Sequence, residues 1–191
     1  MAQRERIPLA DAEALARGLL DELRSACVRV EIAGSIRRRR PDVGDIEIVA
    51  IPRMDSEPWG LIEGMVRPVN RLEERCALLR GPDGLLPRLD ERGRACWGER
   101  LKRATWRGFA ADLFSVVAPA QWGAILAIRT GSAEFSRRLV TSKLHGGMMP
   151  SHLRVKDGAL WRRDGEMVPT PEEADVFAAI GLAWIPPEAR E

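Results

Sequence analysis

A chain of 191 residues with 45% hydrophobic and 30% charged side chains can bury a core, as one ordinary domain or two small ones, and is no candidate for disorder. Its longest apolar stretches, such as Val116–Ala118 and Ala124–Ile128, are far too short to span a bilayer, and the charged opening Met1–Ala10 does not read as a signal peptide. Cys27, Cys76 and Cys96 are odd in number and widely spaced, which excludes a disulfide framework, and with only two histidines a zinc site; a reducing, cytoplasmic setting follows.

The net charge of +2 hides an uneven layout. Arg37–Arg40 form an unbroken basic run, residues 88–107 hold seven bases against three acids, and from Asp164 onward seven acids face one base. This distribution predicts a basic groove beside an acidic end.

In chain order, Leu9–Cys27 has helical apolar spacing, with Asp11 and Glu13 in its first turns. Val28–Ala33 reads as a strand, Gly34–Ser35 opens a basic loop, and Gly44–Ile51 is a second strand ended by Pro52. Met54–Arg80 is expected to be helical in part, on the spacing of Leu61, Ile62, Met65, Val69 and Leu72, with a break at Pro68. Glu99–Arg107 and Phe109–Val117 read as a hairpin around Gly108. A helix is expected from Pro119 to Gly131, another over Ser132–His145, and a hairpin at Lys156–Asp157–Gly158. The last helix is expected to start at Thr170, with Pro171 in its first position. The simplest partition is a mixed α/β domain over residues 1–118 and a smaller α+β part over 119–191.

The chemistry is concentrated in Ala33–Ile51, AGSIRRRRPDVGDIEIVAI. Alternate side chains of a strand share a face, so Asp45 and Glu47 point one way, about 7 Å apart along the strand, while Ile46, Ile48 and Ala50 point the other. Two close carboxylates repel unless a cation lies between them, and a magnesium ion with its preference for oxygen relieves that repulsion. Asp112 is a single acid in the apolar run FAADLFSVV and needs a partner. If its strand lies beside Gly44–Ile51, three carboxylates meet at one metal site suited to phosphoryl transfer. Gly34–Ser35, after a strand, can bring backbone N–H groups and a hydroxyl to a phosphate, with Arg37 or Arg38 adding a forked contact.

This order of motifs, G-S-x-R-R, then G-D-I-E, then an acid on a later strand, resembles the palm of the family X (polymerase beta-like) nucleotidyltransferases. Trp122–Leu139, with its R-T-G-S, and Asp175–Glu191, with G-L-A-W-I-P-P-E-A-R-E, resemble the same family's thumb. The resemblance implies an α+β architecture: a palm with a mixed sheet and helices on one face, plus a small thumb. It implies two-metal addition of a nucleotide from a dNTP to a DNA primer 3′-hydroxyl, on primer-template or gapped DNA, by a monomer of palm and thumb alone, with gap-filling repair as the use. Asp45, Glu47 and Asp112 would hold two Mg²⁺ or Mn²⁺ ions. Gly34, Ser35 and Arg38 would contact the triphosphate, Thr130 and Gly131 would lie under the sugar, and Ser136 would reach toward the base. Lys102, Arg103 and Arg129 are weaker DNA contacts. Glu47 replaces the family's usual Asp, Ile128–Arg129 an aromatic pair, Ser136 an Asn, and Ala110 an Arg that steadies the third acid. Two alternatives stay open: a template-independent or non-DNA nucleotidyltransferase, and a non-catalytic DNA-binding relative.

Overall fold

A computed structural model describes residues 5–60 and 64–191. Leu61 and Ile62, two residues of the expected middle helix, lie outside them, as does the start of the opening segment. Strand β1 (Ile7–Pro8) leads into helix α1 (Leu9–Arg24) and strand β2 (Cys27–Ile32). A single turn of helix, α2 (Gly34–Arg37), is followed by β3 (Asp42–Val43) and β4 (Ile46–Pro52). Strands β5 (Met54–Pro58) and β6 (Val66–Asn70) precede α3 (Arg71–Leu78), β7 (Leu85–Pro87), β8 (Leu101–Trp106) and β9 (Phe109–Ser115). The remainder holds α4 (Trp122–Thr130), α5 (Ala133–Val140), β10 (Leu153–Lys156), β11 (Ala159–Arg162), β12 (Met167–Val168) and α6 (Glu173–Ala179).

The central sheet runs β2-β4-β9-β8-β7 and is mixed, because β4 and β9 are parallel while the other neighbours are antiparallel. Ile46, Ile48 and Ala50 of β4 and Ala111 and Leu113 of β9 bury one face of it against Ala12, Ala16, Leu19 and Leu23 of α1 and Leu72 and Cys76 of α3. The opposite face is covered over part of its width: Val49 and Phe114 pack on Trp122 and Leu126 of α4. Helices α1 and α3 thus lie on one face, the arrangement expected for residues 1–118, while α4, from the 119–191 part, partly covers the other, where β8 keeps Arg103 exposed. A separate core joins Ala124, Phe135, Leu139, Leu160 and Phe177, so α4 carries one face to each side.

Four segments differ from the sequence expectation. Met54–Pro58 and Val66–Asn70 pair as antiparallel strands, with Ser56 opposite Pro68, and the helix expected in part of 54–80 is found, among the described residues, in α3 beyond Pro68. Pro58 and Pro68 supply no N–H to a helical ladder, and of the residues whose spacing suggested one, Val69 lies on β6 and Leu72 on α3. Helix α4 begins at Trp122, not Pro119, and Gln121 instead accepts from the buried Thr170 hydroxyl at 2.9 Å. Thr170 is thus a tie to Gln121 and not a cap; α6 starts three residues later, with Glu172 and Asp175 forming a reciprocal capping box. The helix expected over Ser132–His145 stops at Val140, with Ser132 as its cap, accepting from the Phe135 N–H at 3.0 Å.

Candidate nucleotidyl-transfer site

The parallel register of β4 and β9 sets the site. Glu47 pairs directly with Asp112, and Val49 with Phe114, so the two acids share the sheet face that α4 partly covers. Neighbouring strands lie about 4.8 Å apart, which puts Glu47 and Asp112 side by side; Asp45, two residues before Glu47, sits on the same side of the chain. Backbone topology therefore gathers the three carboxylate-bearing positions as the sequence suggested. Their side chains, however, do not form a ready-made metal cluster among the described residues. Asp112 is buried and turned to two arginines: Arg103 Nε lies 3.3 Å from its Oδ2 and Arg88 Nη1 3.4 Å from its Oδ1.

Arg103 is the cross-strand partner of Asp112 on β8, and the Arg88 N–H donates to the Arg103 carbonyl at 2.8 Å. Together they occupy both oxygens of the acid, the service that an arginine at the Ala110 position would otherwise give. Arg88 escaped the sequence reading because it stands on a short connection after β7; only its place in the basic stretch 88–107 hinted at it. Lys102 must be corrected. Adjacent strand residues face opposite ways, and Lys102 points into the core, where it pairs with Glu73 and donates to the Gly98 carbonyl at 3.0 Å, out of reach of any template.

Glu47 is crowded. Burial first, then the charge of Asp45, raise its carboxyl to about 7, and Asp112 adds to the effect while Arg129 and Arg38 oppose it. Gly34, at φ +63°, is the reason this carboxylate fits: a Cβ there would run into the Glu47 carboxyl group. The longer side chain of glutamate thus fills the space above Gly34. Gly34→Ala is expected to lose about 1–3 kcal/mol of stability from the strained left-handed backbone alone, with a further loss from the clash. Urea unfolding checks it, and Glu47→Asp in the same chain should recover the steric part; an Ala variant as stable as the parent would contradict this packing.

A pocket of about 450 Å³ opens beside the carboxylates and is lined by Ser35, Arg38, Asp45, Glu47, Gly131 and Ser136, among others. The Ser35 hydroxyl and Arg38 Nε are buried there without a hydrogen-bond partner. Buried donors left unsatisfied are unusual, and two of them beside a cavity fit an anionic, oxygen-rich ligand. Arg6, which the sequence gave no reason to single out, also lines the pocket.

Other expected contacts are differently engaged. Thr130 is fully buried and its hydroxyl accepts from Arg37 Nη1 at 2.7 Å, while its carbonyl accepts from Arg38 Nη1 at 2.6 Å. It braces the wall and does not face the pocket. The Ser136 hydroxyl donates to the Ile128 carbonyl at 2.6 Å, closing the turn at Gly131 rather than reaching outward. Arg37 forks onto Glu173 at 2.7 and 2.6 Å and has no free fork for a phosphate. Arg129 lies over the Phe114 ring, 4.0 Å from its centroid. The basic run does not form an open groove at all: Arg37 pairs with Glu173, Arg39 with Glu188 and Arg40 with Glu191, so the two uneven charge blocks neutralise one another. Cys27 and Cys76, pushed up by burial to about 11 and about 12, are inert free thiols.

Residues 125–191 match the family model of the DNA polymerase beta thumb. The match begins within α4 and takes in α5, the β10–β12 sheet and α6, which relates this part of the chain to the family X polymerases. A comparison with curated proteins finds no match. No helix among the described residues is long and apolar enough to cross a membrane.

Proposed function

We propose that the chain is a DNA-directed nucleotidyltransferase, adding a nucleotide from a dNTP to a primer 3′-hydroxyl, with residues 1–118 as palm and 119–191 as thumb. One observation carries the reading: the Glu47–Asp112 register, with Asp45 on the same face, lies beside a pocket whose buried Ser35 hydroxyl and Arg38 Nε have no partner, against a segment matched by a polymerase thumb.

The donor set is all carboxylate oxygen and includes a Glu47 whose charge is disfavoured by its neighbours, which suits a hard divalent cation. Asp45, Glu47 and Asp112 would hold Mg²⁺ or Mn²⁺, two ions in all. Bound there, the metal would supply activation of the attacking hydroxyl and charge relief on the leaving pyrophosphate. The protein's own residues have separate tasks. Ser35 and Arg38 donate to triphosphate oxygens, with Gly34 leaving room beside them for the Glu47 carboxylate. Arg88 and Arg103 hold Asp112 upright at the edge where the primer end would lie. Gly131 keeps the wall under the sugar flat, since a Cβ there would meet Phe135 and Ser136. DNA would run over the uncovered face of β8, where Arg103 is exposed. Use in filling short gaps, action as a monomer and a cytoplasmic setting belong to the same proposal.

A second reading, a DNA-binding relative without chemistry, draws on the arginines that already occupy both oxygens of Asp112. Primer extension with a labelled dNTP, with and without template and Mg²⁺, separates the two. Metal- and template-dependent growth is expected. Growth without template would move the assignment to a template-independent transferase, and DNA binding without growth would favour the second reading.

A further inference from the structure

Arg129 is the last-turn arginine of α4, and its guanidinium lies over Phe114, 4.0 Å from the ring centroid. Phe114 follows Asp112 by two on β9 and is paired with Val49, which follows Glu47 by two on β4. The guanidinium therefore sits one step along the same face from the two acids. It lines the pocket together with Asp45 and Glu47, and its buried Nε has no hydrogen-bond partner. Burial disfavours its charge, and the acids that offset this are Glu47 first and Asp112 second. Reciprocally, among the cations acting on Glu47, Arg129 ranks ahead of Arg38. A guanidinium held by stacking, with its Nε free of any acceptor among the described residues, has room to change its position.

We infer that Arg129 is the resident counter-cation of Glu47, competing with a divalent ion for that carboxylate and yielding the place by turning away over Phe114. The inference rests on the proposal that this face binds the metal. Arg88 and Arg103 already serve Asp112, whereas Glu47 beside Asp45 needs a cation of its own, and one fixed there permanently would keep a metal from that carboxylate. A stacked arginine meets both demands, and it makes metal affinity a property of the thumb-side helix as well as of the sheet.

The test is direct binding of Mn²⁺ to the full chain, followed by the loss of the free-ion electron paramagnetic resonance signal in the absence of DNA and nucleotide. Arg129→Met keeps an apolar stem on Phe114 and removes the charge; it should bind Mn²⁺ on the order of tenfold more tightly than wild type, as removal of a like charge at close range dictates. Arg129→Lys should stay near wild type. Equal or weaker binding by the Met variant, or a Lys variant as tight as the Met variant, overturns the inference. So does weaker nucleotide binding with unchanged Mn²⁺ affinity, which would make Arg129 a fixed nucleotide contact. If Arg129→Met fails to fold, by circular dichroism, Arg129→Gln is read in its place. Asp45→Asn separates the two levels: binding that it abolishes but Arg129→Met leaves unchanged removes this inference alone, whereas no Mn²⁺ binding by any variant, wild type included, removes the metal reading with it.

Discussion

Asp45→Asn and Asp112→Asn should each abolish primer extension while the chain stays folded. Asp45 lies just before β4 and lines the pocket, so an amide there removes the charge while keeping the size of the side chain. Asp112 is the more demanding case, because its carboxylate also receives Arg88 and Arg103. An amide leaves both guanidiniums without an anionic partner, yet Arg103 is well exposed and Arg88 partly so, and water can replace the lost contacts at a cost of about 1 kcal/mol or less. The activity loss should be far larger, since a ligand of the proposed metal site is removed. Steady-state extension rates alongside thermal melts check the pair. Retention of more than about a tenth of the wild-type rate, a loss under ~1.4 kcal/mol, would remove that acid from the catalytic set.

The largest effect on stability is expected at Glu173. Its carboxylate is buried and takes the fork of Arg37 from one side and Arg190 Nη1, at 2.6 Å, from the other. Arg190 is fully buried and also donates from Nε to the Ile185 carbonyl at 2.9 Å, tying the C-terminal strap to α6. Glu173→Leu strands two guanidiniums, one of them wholly desolvated, and should lose about 3–5 kcal/mol, as breaking a buried pair from one side does. Burial would raise the Glu173 carboxyl, but the bonds from Arg37 and Arg190 win and hold it below the usual carboxylate value. A folded-state value below the unfolded one means that the cluster contributes fully above about pH 4.5 and that its contribution is lost as the pH falls through the depressed value. Urea melts from pH 7 down to pH 3 should therefore show wild type losing more stability on acidification than Glu173→Leu does. Parallel loss in both would show that other carboxylates dominate.

How much was legible in the sequence varies by residue for physical reasons. Alternation in IEIVAIP and FAADLFS fixed which side chains of β4 and β9 share a face, because a strand has period two and one face had to be apolar. The juxtaposition of the acids then needed only the two strands to be neighbours. The same rule was not carried through to Lys102 and Arg103, which were read together as DNA contacts: one of two adjacent strand residues has to face the core, and the pairing of Arg103 with Asp112 shows that it is Lys102. Partners far apart along the chain were not legible. Nothing local links Arg37 to Glu173 or Arg88 to Asp112; such pairs follow from tertiary register, and the run Arg37–Arg40 looked like a ligand site because its acids lie at the other end of the chain. The β5–β6 pairing was missed because the apparent helical spacing ran across Pro68, from Val69 on β6 into Leu72 on α3, as if one element held both. Ser136 lines the pocket and Thr130 lies behind it, and their hydroxyls serve the protein's own carbonyl and guanidinium.

A crystal of the full chain soaked with Mn²⁺ and a non-hydrolysable dNTP analogue tests the central claim at the atomic level. Anomalous density bridging Asp45, Glu47 and Asp112, with the triphosphate against Ser35 and Arg38, is the predicted result. Manganese bound elsewhere, or a triphosphate that leaves the Ser35 hydroxyl and Arg38 Nε as unpartnered as they are now, would contradict it.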